Sequence, residues 1–262
     1  MPRMGVVTIT RPNHDAATYV GSLALKHAID YMRSRGIIVD DLEGDRARRQ
    51  PVLDSLSRNN SVFFTGVGHG SENVFTGQWQ ERIWWVCDCK ELKDRVIYLL
   101  SCLTGQQLGP DIVNNKGARA YIGYKVEFTW IQAQIQDPLI DPYGKAFFEP
   151  VLEIYKNLAE GKTVGEAYLA SMDKWNYWID YWSRSNDPAA PSIVQLLLWD
   201  RNGQVLYGDE NSVIVQPFQI PVQWLFIAGT LSTAPMIAIG GVVLANEFTK
   251  HAVPTGPPRR LG

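Results

Sequence analysis

Two reactive side chains stand at the ends of two apolar runs. His69 follows Val62-Phe-Phe-Thr-Gly-Val-Gly68, and Cys102 follows Val96-Ile-Tyr-Leu-Leu-Ser101. A thiolate is a strong nucleophile, but near neutral pH it needs a base or a lowered pKa to form. A histidine on an adjacent strand end supplies that base. If the two runs are neighbouring parallel strands, both side chains emerge at the same carboxyl edge of one sheet, where open α/β sheets place their chemistry. Gly68 and Gly70 flank His69 and allow a sharp turn and close approach to a substrate. The amides of Gly70 and Cys102 are the candidate oxyanion hole for an acyl-transfer intermediate. A helix expected from Leu108 would favour the thiolate modestly if its N-terminus points back. Taken singly, a buried cysteine or a histidine after a strand is ordinary packing. The pair, in this order and with these flanks, points to nucleophilic catalysis.

The elements that must position this pair are legible along the chain. Gly5–Thr10 is a β-branched run that reads as a buried strand. A helix is expected from Ala16 to about Arg35, stopped by Gly36. Ile37–Asp40 reads as a second strand. Asp41, Glu43 and Asp45 after it suggest a solvated loop, leading past Arg46, Arg48 and Arg49 into a helix near Pro51. Ser61–Val67 and Val96–Leu100 are the third and fourth main strands. Val74–Cys89 reads as a β excursion between them. A helix over Leu108–Lys116 and a strand over Ala118–Gly123 follow, and Asp-Pro turns at 137–138 and 141–142 mark an irregular segment. Two amphipathic helices, Tyr143 to about Gly161 and Thr163 to about Trp182, come next. Asn202-Gly203 suggests a hairpin between strands Ile193–Trp199 and Gln204–Tyr207. Alternating strands and helices imply a mainly parallel sheet wound by right-handed crossovers.

Composition sets the outer bounds. The 262 residues suit one α/β domain with additions, and 45% hydrophobic with 20% charged residues supports a sizeable core. A net charge of -2 gives no electrostatic case for nucleic acid. Three cysteines, Cys87, Cys89 and Cys102, do not make a disulfide framework and suit a reducing compartment. The first residues lack the features of a signal peptide, which leads to the expectation of a cytoplasmic catalytic portion. No cofactor is expected.

Several motifs together resemble the caspase-like (clan CD) cysteine peptidases, and within them the gingipain-type family. They are strand–His69-Gly70, strand–Ser101-Cys102, Gly117-Ala-Arg-Ala-Tyr-Ile-Gly-Tyr124, Gly161-Lys-Thr-Val-Gly-Glu-Ala-Tyr168 and Leu206-Tyr-Gly-Asp209. The likeness spans about residues 5–210, with Glu210 where the family pattern has proline. It implies an α/β caspase-like three-layer sandwich, with helices on both faces of the sheet. It also implies an endopeptidase acting on protein or peptide substrates, with His69 as base and general acid and Cys102 as the nucleophile that forms an acyl-enzyme. Relatives differ in an acidic residue that orients the histidine; Asp41 and Glu72 are the candidates here. Several relatives cleave after Arg or Lys, which calls for a carboxylate in the substrate pocket. Asp137 and Asp141 are the candidates, against the plainer reading that both are turn residues. The spacing departs from the caspase signature, which argues against strict aspartate specificity. The rival class is a catalytically silent domain of this fold serving as a membrane-attached interaction module, and ligation is a further acyl transfer open to Cys102.

Other stretches have plainer readings. Cys87-Asp-Cys89 has no second Cys/His pair at zinc spacing, and strand alternation would put both thiols on one face. Trp84, Trp85, Trp175, Trp178 and Trp182 suit a core or subunit contact better than a peptide groove. Arg46–Arg49 reads as a solvated face. From Asn211 to Asn246 no residue is charged, and Val222–Ala245 is long enough to span a bilayer as one helix. The expected division is therefore a peptidase domain over 1–215, a hydrophobic segment over 216–248 that either associates with a membrane in a single C-terminal pass or, broken at Ser232, Thr233 and Pro235, forms a buried hairpin or helix pair capping the domain, and a basic tail over 249–262. No feature specifies an oligomeric state.

Overall fold

Apolar runs of five or six residues build a six-stranded sheet in the computed structural model, which describes residues 6–133 and 137–215. Its strands are β1 (Val6–Arg11), β2 (Ile38–Glu43), β3 (Phe63–Val67), β7 (Val96–Leu100), β8 (Ala120–Tyr124) and β9 (Gln204–Gly208). They lie in the order β2-β1-β3-β7-β8-β9, parallel except for β9, which runs antiparallel to β8. A smaller antiparallel sheet of β4 (Gly70–Ser71), β5 (Val74–Thr76) and β6 (Arg82–Trp85) forms the excursion between β3 and β7.

Side-chain alternation along the central strands feeds two cores. Phe63, Val67, Tyr98, Leu100 and Ile122 pack under α1 (Ala16–Ser34), α4 (Gly144–Ala159), α5 (Val164–Ser183) and α6 (Ala190–Gly203). Phe64, Ile97, Leu99 and Tyr121 pack under α2 (Arg49–Asn59), α3 (Leu108–Asn114) and the small sheet. The result is the three-layer sandwich. Trp175, Trp178 and Trp182 belong to the first core and Trp84 to the second, so these rings serve packing.

Caps stop and start the helices where their chemistry dictates. Asp15 and Thr18 form a capping box at α1, and Thr163 and Glu166 form another at α5. Gly36, Gly117 and Gly161 sit at positive φ just beyond helices, where a Cβ would be strained.

Three local expectations are corrected. Asp41 and Glu43 do not form a solvated loop but continue edge strand β2 beyond Asp40. Buried Arg11 on β1 makes this possible by donating to Asp41 and Glu43, while Asp40 accepts from Ser55 and Arg58. Asn202-Gly203 is not a hairpin turn: Ile193, Leu197 and Asp200 form one buried stripe of a helix that runs through Gly203. A Cβ at Gly203 would collide with Val126, so this glycine serves close packing rather than a turn. Cys87 and Cys89 do not share a face. The chain turns at Cys87 (φ 75°), leaving it exposed and Cys89 buried.

The stretch Val222–Ala245 and the basic tail lie outside the described residues. Among those described, no helix is long and apolar enough to cross a membrane.

Candidate active site

The register of β3 and β7 sets the site. Val67 pairs with Leu100, the last residues of the two parallel strands. His69 and Cys102 each lie two residues further on. Both line one cavity of about 390 Å³, open to solvent, whose walls include Val67, Leu100, Phe128, Trp130 and Phe148.

His69 is held by a group that neither Asp41 nor Glu72 represents. Its Nε2 lies 2.6 Å from Asp15 Oδ2. Asp15 follows β1, the neighbour of β3, and caps α1. Its Oδ1 accepts from the Thr18 N–H at 2.8 Å while Oδ2 meets the histidine. Burial pushes the Asp15 carboxyl up, but the Thr18 and His69 hydrogen bonds outweigh it and hold the group at about 2. The carboxylate only accepts, so Nε2 carries the ring proton and Nδ1 remains as the ring's acceptor. Asp15 was within reach of the sequence. It is the polar residue immediately before the Ala16 helix, the position of an N-cap, in the loop that leaves the same sheet edge.

Beside them is His14, whose side chain is only 6% exposed. Its Nε2 is 3.3 Å from Asp15 Oδ2, yet neither ring nitrogen makes a hydrogen bond among the described residues. Its ring packs edge-on to His69 and against Trp79.

Cys102 is half-buried, and burial pushes its thiol above the usual range. A hydrogen bond from the Phe128 N–H opposes this, while Glu127 and Asp200 add to the rise. The resting group is therefore a thiol, and a nucleophilic role for it would require a base. The turn after β7 is tightly defined. Leu103 takes φ 62°, in the left-handed region, with its N–H donating to Val126 O and that of Gly105 to Tyr124 O. Strain of this kind is typical where a nucleophile is presented from a strand end. Gly70 passes close by: a Cβ there would lie 2.5 Å from the Cys102 carbonyl oxygen.

The other sequence candidates lie elsewhere. Asp41 is bound by Arg11, and Glu72 accepts from Gln107 at 2.7 Å. Asp137 faces His27 at 2.8 Å and accepts from the Leu139 N–H. Asp141 is fully buried and accepts from the N–H groups of Ala133, Tyr143 and Gly144, at the start of α4. Neither Asp137 nor Asp141 is among the residues lining the cavity. Cys89 donates to Asp111, whose charge adds to burial in pushing the thiol up to about 12, so it is no nucleophile. Arg49, read as solvated, lies over the Trp85 ring at 4.4 Å and donates to Ile83 O.

This topology, with its two helical layers, is that of the caspase-like α/β sandwich. Among solved structures, the complex of the Porphyromonas gingivalis RgpB pro- and mature domains matches with a TM-score of 0.53 and 10% identity, over 81% of this chain and 48% of that one. The shared fold agrees with the gingipain-type resemblance of the sequence motifs. A structure described as a protease matches with a TM-score of 0.48 and 18% identity, over 80% of this chain and 48% of its own. The chain thus spans about half the length of the structures it matches. No family model matches the sequence, and no curated protein matches it.

Proposed function

We propose that this chain is a cysteine peptidase with Cys102 as nucleophile, His69 as base and Asp15 as the residue that orients His69. The observation that carries this is the register of β3 and β7, which delivers His69 and Cys102 to one cavity from adjacent strand ends. His69 Nδ1 takes the thiol proton as sulfur attacks the substrate carbonyl, and Asp15 stabilises the resulting imidazolium through Nε2–H. The oxyanion is received by the amides of Gly70 and Cys102. Collapse of the intermediate breaks the C–N bond, and His69 returns the proton to the leaving amine. Water, deprotonated by His69, then hydrolyses the thioester.

The cavity walls favour an apolar substrate side chain over Arg or Lys. Val67, Phe128, Trp130 and Phe148 supply no counter-charge, and burying a cation against them is costly.

A chloromethyl-ketone probe with an apolar P1 group should label native protein at Cys102, located by peptide mapping. Cys102→Ala should abolish both labelling and peptide hydrolysis. Hydrolysis that survives in Cys102→Ala would overturn the mechanism. Native protein that neither labels nor hydrolyses would leave the silent interaction module.

A further inference from the structure

We propose that His14, Asp15 and His69 form a zinc site whose occupation silences the base of the dyad. One ligand atom from each residue lies within 4.8 Å of the other two. The set of two imidazoles and one carboxylate, with a fourth position open, is one that zinc accepts. Zinc bonds of about 2.0–2.1 Å in tetrahedral geometry separate neighbouring donors by about 3.3 Å. His14 Nε2 and Asp15 Oδ2 already stand 3.3 Å apart. His69 Nε2, now 2.6 Å from the same oxygen, must retreat by roughly 0.7 Å as coordination replaces its hydrogen bond.

The independent observation is His14 itself. Its side chain is more than nine-tenths buried and both ring nitrogens lack a hydrogen-bond partner among the described residues. Buried polar groups are nearly always paired, and among the described residues the protein itself supplies no partner for these two nitrogens, which leaves them as donors for a cation beside the carboxylate. The loop that carries it is fixed in advance. Asn13 N–H donates to Gln78 Oε1, and Gln78 Nε2 donates back to Asn13 Oδ1.

Binding has a defined proton consequence. In the free site the one proton of neutral His69 sits on Nε2 and Nδ1 can accept. Zinc takes the Nε2 lone pair, so the ring's proton moves to Nδ1. The ring stays neutral, no proton is released from it, and the acceptor that Cys102 needs is gone. This inhibitory consequence rests on the proposed dyad; the metal site does not.

The test therefore separates them. In full-length Cys102→Ala, which removes the competing thiol, titration calorimetry should show zinc binding at one equivalent. Cobalt, as a spectroscopic substitute, should give the visible absorption of a tetrahedral site. His14→Phe in that background keeps a packed ring without donors, and His14→Ala serves if the phenyl ring is not accommodated. Either should weaken zinc at least about 100-fold, as loss of a direct ligand exceeds the usual effect of outer-shell changes. The zinc-induced rise in Tm should vanish with it. In protein with Cys102 intact, zinc should suppress probe labelling, and each His14 variant, compared with itself with and without zinc, should resist. Absence of zinc binding to Cys102→Ala, or unchanged affinity in the His14 variants, would overturn the site. Binding at one equivalent without suppression of labelling would overturn the inhibitory coupling alone.

Discussion

At the scale of single residues, Asp15 has two tasks that substitution can separate. One oxygen caps α1 and the other holds His69. Asparagine caps a helix about as well as aspartate, so Asp15→Asn should keep the cap and lose only what the ionised carboxylate adds at His69, a smaller drop in thermal stability than that of Asp15→Ala. With its oxygen on the Thr18 N–H, the asparagine amide turns N–H groups toward His69 Nε2. That nitrogen must then accept, and the ring proton moves to Nδ1, the atom needed as base. The expected loss in kcat is about 10²–10⁴-fold with little change in KM, the usual worth of general acid–base catalysis, and up to the size seen when a triad carboxylate becomes an amide. Asp15→Ala should show the same kinetic defect and lose about 1 kcal/mol of stability as well, because the cap goes too. Peptide hydrolysis and urea unfolding of the two variants test this; equal activity in parent and Asp15→Asn would remove Asp15 from the mechanism.

At the scale of elements, edge strand β2 depends on a side chain from its neighbour. Arg11 is buried, and its charged form is kept despite desolvation by Asp41 and Glu43. Arg11→Met should preserve volume but leave the Asp41 carboxylate, only 17% exposed, without its cation. Breaking a fully buried pair costs about 3–5 kcal/mol; Arg11 is buried but Asp41 and Glu43 keep access to water, so about 2 kcal/mol is expected after screening. A shift in urea midpoint of that size, at unchanged m-value, is the check, and a neutral outcome would mean that β2 is held by its ladder alone. The same strand shows what sequence reasoning could and could not reach. β3 and β7 were legible because their apolar runs stop abruptly at His69 and Cys102, and parallel neighbours must deliver those side chains to one edge. β2 was half-hidden because its acidic residues are neutralised by Arg11, some thirty residues earlier in the chain. α6 was hidden by Asn202-Gly203, whose turn signal yielded to a helical stripe and to the Gly203–Val126 contact. Asp15 carried a cap signal, but its second role needed the β1–β3 pairing to bring it to His69.

At the scale of the whole molecule, opposite pKa shifts narrow the pH range of stability from both ends. Asp15, Asp40 and Asp111 are held below their ordinary value: burial opposes ionisation, but hydrogen bonds and nearby cations outweigh it. Their stabilisation is fully present above about 3.8 and is lost as pH falls through the folded values. Asp200 acts in the other direction. It is fully buried on α6, its Oδ1 accepts from the Thr129 N–H, and its Oδ2 has no hydrogen-bond partner among the described residues. Burial raises its carboxyl well above 3.8 and keeps it protonated. Unfolding frees that proton once pH exceeds the unfolded value, so the unfolded state binds fewer protons and stability falls as pH rises toward the folded value. The slope for one such group is about 1.4 kcal/mol per pH unit. Asp200→Asn mimics the neutral acid and cannot ionise, so its stability should stay flat where the parent declines. Urea midpoints measured from pH 5 to 8 should therefore diverge, the variant becoming the more stable protein at the alkaline end. The effect also reaches the site, since Asp200 anchors Thr129 beside Phe128, whose N–H donates to Cys102. Parallel curves for parent and variant would show that Asp200 ionises in the folded protein much as it does in the unfolded chain, and would overturn its assignment as a buried neutral acid.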